Sequence, residues 1–103
     1  MNEQIEKQLE REYLRLSRLY YEEYGYHPSR FLQMMKEYGP VQTTIKLVMD
    51  PVLHEGLTKL WGLGRLDISV EATILQEPYC NLFSDDVLNK AKEKLENLGY
   101  LNK

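Results

Sequence analysis

Apolar side chains recur every three or four positions over the first 24 residues, which is the spacing of one face of an α-helix. The stripe comprises Ile5, Leu9, Tyr13, Leu16, Tyr20 and Tyr24. Gly25 suits the left-handed end of a helix, and Pro28 prevents the helix from continuing. The pattern therefore predicts a long amphipathic helix over residues 2–24.

Helical spacing continues in the next two segments. A second helix is predicted from His27–Ser29 to the Gly39-Pro40 pair, with Phe31 on its buried side. The segment 41–49 contains several β-branched residues, which allow a strand, but its apolar positions fit a spacing of three and four better than two. We expect a third helix there.

The remaining segments are short until the last one. Helices are predicted around 55–61 and 69–76, separated by a glycine-containing turn, and a final helix follows Ser84, which is a favourable N-cap. The sequence thus predicts an all-α protein, with one domain over residues 1–103 that forms a compact bundle of five to seven helices. Residues 1–24 form the long helix, and residues 25–103 form the body.

Composition and charge restrict the class of protein. The chain has 103 residues, of which 43% are hydrophobic and 28% are charged, as in an ordinary globular domain. A net charge of −3 argues against a general binder of phosphate backbones. Cys80 has no second cysteine to pair with, which favours a reducing cytoplasm. The first residues lack the features of a signal peptide, and no apolar run is long enough for a membrane span. We expect a cytoplasmic protein without membrane association.

The central block carries the most specific sequence pattern. It reads Gly56-Leu57-Thr58, Leu60-Trp61, Gly64-Arg65-Leu66-Asp67 and Ser69-Val70-Glu71-Ala72. It resembles an uncharacterised family of small bacterial helical proteins with the signature G-[LF]-T-x-L-W-x-x-G-R-L-D-L-[ST]-x-E-A. The similarity extends over residues 25–100. The resemblance implies a bacterial, intracellular, helical domain, and it carries over no catalytic or binding residue.

One polar cluster in this block invites a functional interpretation. Arg65, Asp67 and Glu71 could form a small polar site beside Trp61. Helix-end chemistry explains the same residues more simply: Asp67 or Ser69 caps a helix, Glu71 lies in its first turn, and Arg65 pairs with an acid. We favour this structural role, and we expect Trp61 to be a core residue.

No pattern indicates a cofactor. The Gly62–Gly64 turn lacks the lysine and hydroxyl of a phosphate-binding loop. His27, His54 and Cys80 lack the spacing of metal ligands. The sequence therefore predicts no metal, no cofactor and no small-molecule ligand, and it favours a protein that is not an enzyme.

The tyrosine-rich first helix is the candidate interaction surface. Its stripe either packs along the whole bundle or offers contacts to another protein, with Leu9, Tyr13, Leu16 and Tyr20 as candidate interface residues. We expect a non-enzymatic interaction module that binds a protein partner or its own copy. In that case, Leu9→Asp with Leu16→Asp would convert an oligomer to a folded monomer.

Two other functions are retained as alternatives. Residues 55–76 could form a helix–turn–helix unit of a nucleic-acid-associated regulator, although its second helix would carry Glu71 and no basic residue. An enzyme using Arg65, Asp67 and Glu71 is the third interpretation.

Overall fold

The chain folds as an all-α protein, as predicted. The computed structural model describes residues 2–100 and contains five α-helices, with no strand in that range. They are α1 (Asn2–Tyr24), α2 (Ser29–Met49), α3 (Glu55–Gly62), α4 (Val70–Ile74) and α5 (Asp85–Asn97), with single 3-10 turns at Leu66–Ile68 and Tyr79–Leu82. The predicted long N-terminal helix is confirmed. Within residues 2–100, no helix combines the length and apolar character that crossing a bilayer requires.

Helix α2 is broken in its middle. Gly39 has φ +83° and ψ 169°, a conformation that residues with a Cβ rarely adopt, and Pro40 starts the second half. The two predicted helices on either side of the Gly39-Pro40 pair are therefore both present. The break allows the second half of α2 to leave the direction of the first half.

The apolar stripe of α1 forms the core of the protein. Leu9 and Tyr13 pack in one cluster with residues of α2, α4 and α5, whereas Leu16 and Tyr20 pack in a second cluster with α3 and α5. All four side chains are at most 5% exposed. Their assignment as interface residues is therefore wrong, because the chain's own helices already cover them.

Helix α4 is completely enclosed. All five of its residues, Val70–Ile74, are buried, and Ser69 caps it by accepting a hydrogen bond from the Ala72 amide at 3.1 Å. A recognition helix needs an exposed face that can enter a DNA groove. α4 has no such face, so it cannot serve as the second helix of a DNA-reading helix–turn–helix.

Candidate functional site

A cavity of about 230 Å³ lies where α1, α2 and α3 meet. Much of its wall is apolar, and it includes Phe31, Met34, Leu47, Val52, Leu53 and Leu60. Val52 and Leu53 belong to the loop between α2 and α3, and both are exposed. The cavity therefore opens beside apolar side chains that the fold does not cover.

The break in α2 builds this cavity. Phe31 in the first half and Leu47 in the second half both line it. These residues are sixteen positions apart, and a straight helix would separate them by about 24 Å at 1.5 Å per residue. That distance is too large for two walls of one small cavity. The non-helical Gly39 thus brings the two halves of α2 around a common space.

His54 forms part of the cavity wall and makes two hydrogen bonds. Its Nδ1 accepts from the Leu57 amide at 3.2 Å and thereby caps the N-terminus of α3. Because Nδ1 is an acceptor, the proton of the neutral ring lies on Nε2, which donates to Glu71 Oε2 at 2.8 Å. Both ring nitrogens are engaged, so this arrangement leaves no nitrogen free for a substrate or a metal ion.

Glu71 is fully buried behind His54. Its second oxygen, Oε1, has no hydrogen-bond partner among the described residues. Lys94, another buried charged residue, donates from Nζ to the carbonyl oxygens of Leu47 at 3.1 Å and Asp50 at 2.8 Å. Burial lowers the pKa of Lys94, and the negative charge of Glu71 partly opposes this effect. These groups form a polar region inside the core, close to the cavity wall.

The predicted Arg65–Asp67–Glu71 cluster is only partly present. Arg65 and Asp67 form a bidentate pair on the surface, with Nε–Oδ1 3.0 Å and Nη2–Oδ2 3.1 Å. Arg65 also donates from Nη1 to the Tyr24 hydroxyl at 2.6 Å, and it holds the pKa of Asp67 below its usual range. Glu71 lies in the core with His54 instead. The structure therefore separates the three residues, and the remaining pair fixes the turn before α4.

Trp61 does not occupy the expected position. Its side chain is 51% exposed, whereas Leu57 and Leu60 of the same helix are buried. Helix α3 turns these two leucines inward, and Trp61, one position after Leu60, points about 100° away around the helix. The prediction of a core tryptophan is wrong, because a short helix with three apolar residues can bury only one face.

Sequence reasoning missed the cavity and the role of His54. Histidine is not among the common N-cap residues, and Glu71 lies seventeen positions away. The available signal was the pair Val52-Leu53, two apolar residues in a loop closed by Asp50-Pro51 on one side and His54 on the other. Such a pair indicates apolar surface outside a regular helix.

Within residues 2–100, no group of three or more histidine, cysteine or carboxylate side chains converges as metal ligands would. Comparisons with known protein families, curated proteins and solved structures found no match to this chain. The resemblance of the central block to a bacterial family therefore stays a prediction.

Proposed function

We propose that this protein is a non-enzymatic interaction module that holds an apolar side chain of a protein partner in the cavity between α1, α2 and α3. One observation carries this conclusion: an apolar cavity opens next to Val52, which is 70% exposed, and to the partly exposed Leu53. Exposed apolar side chains around a concave site are typical of a surface that another molecule covers. The interaction role expected from the sequence is thus kept, and its location moves from α1 to the cavity.

The size of the cavity fits this role. A volume of about 230 Å³ corresponds to roughly eight water molecules at about 30 Å³ each. One large apolar side chain would displace them, and full burial of such a side chain contributes about 1.5–3 kcal/mol. In many protein interfaces a few side chains supply most of the affinity. These side chains commonly fill pockets of this kind.

Two polar side chains of the wall, His54 and Tyr20, have structural hydrogen bonds that leave them unsuited to acid–base chemistry. Both nitrogens of His54 are engaged, and the Tyr20 hydroxyl donates to the Ile68 carbonyl oxygen. A general base or acid needs a free lone pair or a transferable proton within reach of a substrate. These two side chains instead stabilise the wall, which favours a preformed binding site.

A matched pair of variants tests the proposal. Leu53 and Leu63 have nearly equal exposure, 37% and 39%, but only Leu53 lines the cavity. Peptides are selected from a display library of random twelve-residue sequences on the wild-type protein, and their affinities are measured by fluorescence anisotropy. We expect Leu53→Asp to weaken the selected peptides at least about tenfold, equivalent to about 1.4 kcal/mol, and Leu63→Asp to leave them unchanged.

Two results would contradict this function. One is a selection that yields no binding peptide. The other is a set of peptides whose affinity is equally reduced, or equally unaffected, by Leu53→Asp and Leu63→Asp. Circular dichroism of both variants verifies that each substitution leaves the helical content intact.

A further inference from the structure

We infer that the partner segment carries charges of both signs, a basic side chain on one side of its inserted apolar residue and an acidic side chain on the other. This inference rests on the proposed function of the cavity. It follows from three charged residues at the cavity, Arg30, Asp50 and Glu55, which come from two different parts of the chain.

The acidic side of the cavity is the loop that contains Val52 and Leu53. Asp50 precedes these residues and Glu55 follows them; both carboxylates are exposed, and neither forms an ion pair within residues 2–100. Asp50 Oδ1 accepts a hydrogen bond from the Val52 amide at 3.0 Å, which fixes this carboxylate at the loop. A lysine or arginine next to the inserted side chain would meet two carboxylates here.

The basic side is the start of α2. Arg30 lines the cavity together with Phe31 from the first turn of this helix. Its side chain is exposed and has no ion-pair partner in the described part of the chain. Arg30 forms no ion pair with Asp50 or Glu55, so the positive and the negative charges at the cavity both remain available to a ligand. A ligand with a single charge would satisfy only one of them.

Exposed ion pairs contribute more to the specificity of binding than to its affinity. Each such pair contributes little to affinity, whereas a like-charge contact at the same place disfavours binding. The expected effect of one charge reversal is therefore a change of about threefold to tenfold in affinity, together with a change in the preferred sequence. The apolar side chain supplies the larger part of the affinity.

Parallel selections test the charge pattern. Random twelve-residue peptides are selected on the wild-type protein, on Arg30→Glu, and on Arg18→Glu, which changes an exposed arginine of α1 outside the cavity. Wild type should select peptides with an acidic residue on one side of an apolar residue and a basic residue on the other. Arg30→Glu should replace the acidic residue by lysine or arginine, and Arg18→Glu should select the wild-type pattern. An acid in the first turn of α2 is favourable for the helix, so the variant is expected to fold.

The outcomes separate this inference from the proposed function. Peptides that depend on Leu53 but have no charge preference, or one that Arg30→Glu does not change, overturn the inference and leave the binding function standing. Peptides that do not depend on Leu53 overturn both. Light scattering adds one further outcome: an oligomer that Leu53→Asp converts to a monomer would identify a second copy of this chain as the occupant, which also overturns the inference.

Discussion

His54 and Glu71, seventeen positions apart, are joined by a hydrogen bond of 2.8 Å between Nε2 and Oε2. The same imidazole caps α3 through Nδ1, so one side chain connects α4 to the start of α3 and to the cavity wall. Glu71 has no exposed surface, and its other carboxyl oxygen has no partner among the described residues. His54 is therefore the main compensation for burying this carboxyl group.

His54→Ala is expected to destabilise the protein strongly. The substitution removes the cap of α3 and leaves Glu71 buried without its partner. Leaving a buried carboxyl group without its hydrogen-bond partner costs about 3 kcal/mol, and loss of the cap adds about 1 kcal/mol. Urea-induced unfolding, followed by circular dichroism, gives the change in the free energy of unfolding.

The matched control removes the other half of the pair. In the double variant His54→Ala/Glu71→Leu, no carboxyl group is left buried without a partner, and the Leu57 amide lacks its cap as it does in His54→Ala alone. We expect it to be at least about 1 kcal/mol more stable than His54→Ala alone, because an apolar replacement avoids the cost of a buried unpaired carboxyl group. Additive losses from the two single variants would show that the side chains are not coupled.

The helices could be predicted from the sequence because their signals are local. Spacings of three and four gave α1 and both halves of α2, and Gly25 and the Gly39-Pro40 pair ended the helices where the structure ends or breaks them. Ser84 caps α5 as expected, with its Oγ accepting from the Val87 amide at 3.5 Å. Such patterns depend on backbone chemistry within a few residues.

The candidate site could not be predicted, because it depends on contacts between distant segments. The stripe of α1 was identified correctly, but the sequence did not show that α2, α3, α4 and α5 would cover it. Glu71 fitted a helix N-terminus as well as a buried site, and only the contact with His54, the N-cap residue of α3, decides between them. Trp61 lies beside Leu60, and periodicity did not settle which of the two faces inward.

Two buried phenols should make the protein unstable at alkaline pH. The Tyr13 hydroxyl donates to Thr44 Oγ1 at 2.6 Å, because Thr44 itself donates to the Pro40 carbonyl, and Tyr20 donates to the Ile68 carbonyl. Burial raises the pKa of both phenols above the ordinary value near 10. The folded state therefore keeps these protons while the unfolded chain releases them.

The protein should therefore lose stability as the pH rises. Below about pH 10 both states are protonated and the stabilising contribution is complete; above it, the free energy of unfolding falls by up to about 1.4 kcal/mol per pH unit for each phenol. Tyr13→Phe should reduce the slope by the share of one phenol, although it also removes the hydrogen bond to Thr44. Urea unfolding between pH 9 and pH 11 measures this slope in both proteins. Since Lys94 titrates in both, comparison of the slopes isolates the phenol, and equal slopes would contradict the prediction.

Leu9→Asp with Leu16→Asp is now expected to unfold the protein rather than to separate an oligomer. Both side chains lie in the core, and each substitution would bury an unpaired carboxylate in place of an apolar group. A typical domain is stabilised by roughly 5–15 kcal/mol. The combined cost of the two substitutions removes most or all of this free energy of unfolding. Far-UV circular dichroism should show a loss of helical signal.

Leu14→Asp is the control on the same helix. Leu14 is 49% exposed, so the substitution should change the stability by no more than about 0.5 kcal/mol. A folded double variant of Leu9 and Leu16 with a smaller mass in light scattering would contradict the core assignment. It would restore the stripe of α1 as an interface.

Gly39→Ala should affect binding as well as stability. With φ +83° and ψ 169°, an alanine at this position would be strained by about 1–3 kcal/mol, although no atom within 4 Å would clash with its Cβ. Relief of the strain would change the angle between the halves of α2, which carry Phe31 and Leu47 on the cavity wall.

Gly62→Ala is the control, because Gly62 lies in α3 with open space around it and tolerates a Cβ. We expect Gly39→Ala to lower the thermal midpoint and to weaken the selected peptides at a temperature where it is still folded, whereas Gly62→Ala should preserve both. Unchanged peptide affinity in a destabilised Gly39→Ala protein would show that the break in α2 does not shape the binding site.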